Sequence, residues 1–194
     1  VSEHSQILGG GDHTLPADLA AAAALGGEMG RCFAEFDWAA HPLGSPQDWP
    51  ASLRTAVSMT LASRFPMMVF LGAQDLCLVY NDASIPILGD RHPTALGCRG
   101  EQVWWDVWEQ VGPMIVGVVV TGAAVWSENL QVTFDYQGKP QERYFTLSHS
   151  PLIGNDGATA GVVCTLTETT EKVLGERRMQ LLITVAAVAM DSRT

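Results

Sequence analysis

Four cysteines and five histidines carry most of the reactive side-chain chemistry in this 194-residue chain. Cys32, Cys77, Cys98 and Cys164 form no C-x-x-C pair, and none has a histidine at metal-ligand spacing. They are expected to be scattered buried thiols in a reducing compartment. None of His4, His13, His41, His92 and His149 opens the His-Glu/Asp…Pro pattern of a phospho-accepting helix. A G-x-x-x-x-G-K-S/T loop, a Gly-rich ATP lid, a G-x-S-x-G elbow and an H-E-x-x-H helix are all absent from the sequence. Strand alternation puts Phe145, Leu147 and His149 on one face and Tyr144, Thr146 and Ser148 on the other, and Val162, Cys164 and Leu166 likewise share a face. A histidine and a cysteine among apolar side chains could hold a ligand or a metal, or could simply be hydrogen-bonded core. No second imidazole or carboxylate is placed to complete a zinc site. Glu168 and Thr170, just ahead of a helical run, offer a carboxylate and a hydroxyl to free helix N–H groups and suit the helix dipole. Asp106 and Glu109 read as a solvated helix face. Trp104, Trp105, Trp108 and Trp126 read as core or as a dimer face rather than a ligand cage.

The elements that position these residues belong to a chain that is 47% apolar and 16% charged, enough for one well-filled domain and thin for two. The net charge of −10, with no basic run, argues against nucleic acid or an anionic membrane as a partner. The longest uncharged stretch, Val111 to Ser127, is interrupted by Gly112, Pro113, Gly117 and Gly122 and is too short for a comfortable span. The start, Val1-Ser2-Glu3-His4, lacks the basic flank of a signal peptide. The chain opens without Met and stops inside a helical pattern, so a piece of a longer protein is expected.

Residues 1–35 are rich in Gly and Ala, with no apolar face wide enough to anchor a helix, and are expected to be a flexible tail or a short appended helix. Phe36 to Trp49 alternate aromatics with turn residues, an irregular segment pinned to the domain. Pro50 opens a helix carrying Leu53, Val57 and Leu61. Met67–Leu71 and Leu76–Tyr80 read as strands. Asn81 reads as the N-cap of a short helix ending at Gly89. Apolar residues from Val103 to Val119 keep a helical period, with a break expected at Gly112-Pro113. Three strands follow, Val125–Tyr136, Glu142–Leu152 and Ala160–Thr167, joined by tight Gly- and Asn-bearing turns. From Thr170 the period is again helical, and Leu174, Leu181, Val185 and Val188 form a weak heptad stripe.

This order of elements, together with Trp49-Pro50…Leu53-Arg54, Phe65-Pro66-Met67, Tyr80-Asn81-Asp82-Ala83, His92-Pro93…Leu96-Gly97, Thr121-Gly122, Tyr144-Phe145-Thr146…Ser150-Pro151 and Glu168-Thr169-Thr170-Glu171, resembles PAS sensor domains. The resemblance is to a bacterial group at the front of multidomain sensor histidine kinases and related regulators and covers about residues 36–180. It implies an α+β fold, with a five-stranded antiparallel sheet, helices on one face and a small pocket, and with an N-terminal helical extension and a C-terminal exit helix. The domain would then occupy residues 36–169, and 170–194 would be the exit helix leading to an output domain.

By the same resemblance Phe145, Leu147, His149, Cys164 and Leu166 face the pocket. Glu168 and Thr170 stand where many such domains carry a relaying Asp-x-Thr, with Glu replacing Asp here. Neither haem nor flavin is expected as a cofactor. The helix that bears the haem ligand in some PAS domains has no histidine here. Cys98-Arg99-Gly100-Glu101-Gln102 lacks the Asn of the light-sensing flavin motif, and Phe145 and Leu166 stand where that subgroup has flavin-binding amides. The expected function is a cytoplasmic, non-enzymatic sensory and protein-interaction module, homodimeric through its flanking helices and open to a small apolar ligand. The alternative is an independent binding or enzymatic α+β domain acting on an apolar metabolite, which would need a convergent acid, base or nucleophile set.

Overall fold

Short β-branched and aromatic runs bounded by turn residues pair into a single antiparallel sheet. The computed structural model describes residues 14–191, with side chains as far as Val188. The strands are β1 (Met67–Leu71), β2 (Cys77–Tyr80), β3 (Val125–Tyr136), β4 (Lys139–Ile153) and β5 (Thr159–Glu168), in the spatial order β2-β1-β5-β4-β3. The register aligns Tyr80, Met68, Cys164 and His149 across four strands, so these four share one face. Val79, Val69 and Val163 run across the opposite face.

Helices α4 (Ile85–Leu88), α5 (Gly100–Val103) and α6 (Trp108–Thr121) bury the first of these faces, contributing Ile87, Val103 and Ile115 to the core. The N-terminal extension provides a second cover. It consists of α1 (Ala17–Leu25), α2 (Gly27–Glu35) and α3 (Ala51–Ala62). α3 packs on β1 and β2, and Val69 and Val79 are fully buried.

Residues 17–35 are therefore two helices built into the core, where the composition predicts a flexible tail or a short appended helix. Residues 1–13 of that segment lie outside the described residues. α2 is anchored by Met29 and Phe33, four residues apart and fully buried, and α1 by its close approach to α2. Leu19, Ala22 and Ala23 are buried, and a Cβ placed on Gly30 would stand 2.0 Å from the Ala23 carbonyl oxygen. The start of α2 is capped from a distance. Asp82 accepts the N–H groups of Glu28 (3.0 Å) and Met29 (2.7 Å), next to Gly27 at φ +61°, where a Cβ would collide with its carboxylate.

Three further expectations change. Asn81 caps no helix with its side chain. It is fully buried, donates to the Ser63 and Phe65 carbonyls at 2.9 and 2.7 Å and accepts from Met67 N and Ser84 Oγ, stapling the α3–β1 connection. The break in the long helical stretch falls at Trp104–Val107, while Gly112 and Pro113 lie inside α6. Asp106 is not solvated. Its side chain is 5% exposed, pairs with Arg91 at 2.5 Å and accepts from Asp135 N at 2.7 Å. The aromatic segment before α3 is pinned as its composition suggests, with Trp38 and Trp49 buried and their ring N–H groups donating to the carbonyls of Phe33 and Leu43.

α7 (Thr170–Asp191) follows β5 directly. Its first turns dock on β4, burying Val173 and setting the Arg177 guanidinium 4.9 Å from the Tyr144 ring centre. Beyond them Leu181, Val185 and Val188 are exposed, and so are Met179, Leu182 and Ile183 on other sides of the helix. No helix of the described residues is long and apolar enough to cross a membrane. All four cysteines are free.

Candidate functional site

The sheet face that carries His149 and Cys164 closes, with α4–α6, around a cavity of about 50 Å³. All five residues that the resemblance implies as pocket-facing, Phe145, Leu147, His149, Cys164 and Leu166, line it. Met68 and Phe70 from β1, Val132 and Phe134 from β3, and Trp104, Val107, Val111 and Ile115 from the α5–α6 region complete most of the wall. Among the described residues no charged side chain reaches the lining. Of the four tryptophans taken together in the sequence, only Trp104 lines the cavity, while Trp105 and Trp126 are largely exposed.

The two polar side chains of the cavity are cross-strand neighbours, His149 opposite Cys164. Burial, with no compensating partner, pushes the imidazole pKa down to about 4 and the thiol up to about 12. Both groups are neutral at physiological pH. A cysteine nucleophile needs the reverse, a thiolate beside an imidazolium, so the pair is chemically quiet despite its placement. His149 is 3% exposed, and its Nδ1 is buried without a hydrogen-bond partner. Such an atom carries a desolvation cost that a ligand or water could relieve. Among the described residues no group of three or more His, Cys, Asp or Glu side chains could hold a metal ion. Cys98 is half-buried away from the cavity, with its thiol donating to the Thr94 carbonyl. His92 lies between Tyr80 Oη (3.0 Å) and Glu28 Oε1 (3.2 Å), tying α2 to the sheet.

The aromatic end of the cavity is backed by two guanidinium groups, neither of which was singled out in the sequence. Arg91 lies 5.2 Å from the Trp104 ring centre and 5.4 Å from that of Phe134, held by Asp106. Arg143 lies 5.4 Å from the Phe145 ring and 5.9 Å from Phe134, held by Glu168. Arg143 continues the Phe145–Leu147–His149 alternation by one more step, and that is the signal by which it could have been found.

Glu168 and Thr170 meet at the exit junction. Arg143 Nε donates to Glu168 Oε1 at 2.9 Å, and Nη2 donates to Oε2, making a two-point fork. The Thr170 hydroxyl donates to Glu168 Oε1 at 2.8 Å and accepts the Tyr144 N–H at 3.0 Å. The Thr169 N–H donates to the Tyr144 carbonyl at 2.7 Å. Hydrogen bonding from Arg143 holds the Glu168 carboxyl below the ordinary carboxylate range, opposed by partial burial. Neither side chain caps an N–H of α7 in these bonds; the pair ties the helix start to β4.

No protein-family model matches the chain, and no curated protein matches it. Among solved structures it is similar to an RNA-binding light-oxygen-voltage receptor, at 17% identity and TM-score 0.46, over 66% of this chain and 35% of that one. The chain spans about a third of that receptor's length. It is similar to the PAS domain of histidine kinase ThkA at 20% identity and TM-score 0.41, over 52% of this chain and 95% of that one. It is also similar to a PAS domain from Colwellia psychrerythraea at 13% identity and TM-score 0.45, over 61% and 98% of the two chains. The chain's own strand order and helical cover give the PAS-like α+β architecture that the sequence resemblance implied.

Proposed function

We propose that this chain is a non-enzymatic sensory module of the PAS type, in which the state of the apolar cavity sets the docking of the exit helix. One observation carries the reading: Arg143 lies against the cavity-wall rings of Phe145 and Phe134 and also grips Glu168, which accepts from Thr170 at the first residue of α7. A displacement of Phe145 by a ligand therefore reaches the start of α7 through two side chains. The quiet His149–Cys164 pair and the uncharged wall support binding over catalysis. In this reading the chain works without haem or flavin, in the cytoplasm, as part of a signalling protein such as a histidine kinase. The exposed apolar side chains of α7 pair with a second copy.

Xenon is a suitable probe, because it enters small apolar cavities without needing hydrogen bonds. Amide hydrogen exchange between Thr169 and Arg177 is expected to change when xenon fills the cavity. That change should vanish in Arg143→Gln. Filling that leaves this segment's exchange unaltered would overturn the proposal.

A further inference from the structure

We propose that the N-terminal helical pair α1–α2 is a second input to the exit helix, acting through residues 82–92. This rests on α7 docking being the output of the module and not on what the cavity holds. The segment 82–92 grips the start of α2 at both its ends. Asp82 accepts the Glu28 and Met29 N–H groups at 3.0 and 2.7 Å, and His92 Nε2 lies 3.2 Å from the Glu28 carboxylate. Glu28 is thus held by its backbone and by its side chain. His92 is itself fixed, with Nδ1 3.0 Å from the hydroxyl of the fully buried Tyr80. A displacement of α2 therefore pulls on both ends of the segment.

Between these grips the same segment meets the side chains that lead to α7. Arg143 Nη1 donates to the Pro86 carbonyl in α4 at 3.5 Å, while Nε donates to Glu168, the acceptor for Thr170. A second contact runs through one ring: the guanidinium groups of Arg91 and Arg143 both lie against Phe134, at 5.4 and 5.9 Å from its centre. Ile87 and Leu88 are buried, so α4 shifts as a packed unit and passes strain on. The route from α2 to α7 is then Glu28, the segment 82–92, Arg143, Glu168 and Thr170. The ion pair that anchors α1, Asp18 with Arg54 at 3.0 Å, leads to α3 and not to this segment.

The test reads amide hydrogen exchange in the full chain with no guest added. Asp82 is exposed, and Asp82→Ala removes the cap without opening the core. Exchange is expected to rise in α2 and also between Thr169 and Arg177, there by at least about fivefold, the low end of allosteric coupling. The rise is measured beyond any change at Val162 and Cys164, which report general opening from within β5. Glu28→Gln, which weakens only the His92 grip, should act in the same direction and less strongly. In an Arg143→Gln background the excess between Thr169 and Arg177 should disappear. Arg54→Gln, which frees Asp18, should not produce it. A faster α2 with unchanged exchange between Thr169 and Arg177 would overturn the proposal. So would an equal rise in β5, an excess that persists in Arg143→Gln, or an α2 unmoved by both variants. Xenon plays no part, so failure of the cavity reading leaves this result standing.

Discussion

His149 concentrates the chemistry of the site in one side chain. It is held neutral by burial, with a pKa of about 4 against an ordinary 6.5. The unfolded chain therefore binds a proton that the folded chain refuses between these values, and stability falls as pH drops below 6.5. Between about pH 7.5 and pH 5 this residue should cost the fold roughly 2 kcal/mol. His149→Leu should abolish that share of the pH dependence in urea titrations and leave stability at neutral pH unchanged or raised, since an unpaired buried atom is removed. An unaltered pH profile would show that His149 is solvated or paired in solution. The inward set around it was legible in the sequence in two steps: strand alternation, with its period of two, puts Phe145, Leu147 and His149 on one face, and the family resemblance gives that face as the inward one. Asp106 was not legible. Its partners Arg91 and Asp135 come from 15 and 29 residues away, and no local pattern announces them.

Among the elements, the strands were read nearly to their ends and the first helices were not. α1 is a run of alanines whose anchoring depends on how closely α2 can approach, a property of shape rather than of hydrophobic periodicity. Gly30→Ala tests this, because the new methyl group would meet the Ala23 carbonyl oxygen at 2.0 Å. Forcing the two helices apart should cost about 1–3 kcal/mol in denaturant titration, against the gain of a few tenths expected for Gly→Ala in an open helix. A neutral or stabilising result would show that α1 and α2 are not tightly packed. The misplaced break in the long helical stretch has a comparable origin. Val107, at φ −124° and ψ 3°, starts α6 after Trp104 turns into the core and Asp106 toward Arg91. Pro113 is accommodated within the helix at the loss of one backbone hydrogen bond.

At the scale of the whole molecule, α7 is the helix with the longest run of exposed apolar side chains. Leu181, Leu182, Val185 and Val188 are each about two-thirds exposed, while the first two turns are docked on β4. Pairing with a second copy would cover this surface, each aliphatic side chain contributing roughly 1.5–3 kcal/mol before the entropy of association. Sedimentation of the full chain is expected to show a dimer at tens of micromolar. A version ending at Arg178, which keeps the docked turns, should be a monomer, and a monomeric full chain would rule out α7 as the dimer element. The central claim is that cavity and exit helix are coupled through Arg143. Coupling is reciprocal, so whatever filling the cavity does to α7 docking, loosening α7 must do to cavity affinity by the same factor. The direct measurement is the xenon dissociation constant of the full chain against that of Arg143→Gln, with Lys172→Gln, a change at an exposed position, as control. A shift of at least about threefold in Arg143→Gln alone, a coupling of about 0.65 kcal/mol or more, is the predicted result; identical affinities in all three proteins would contradict the account.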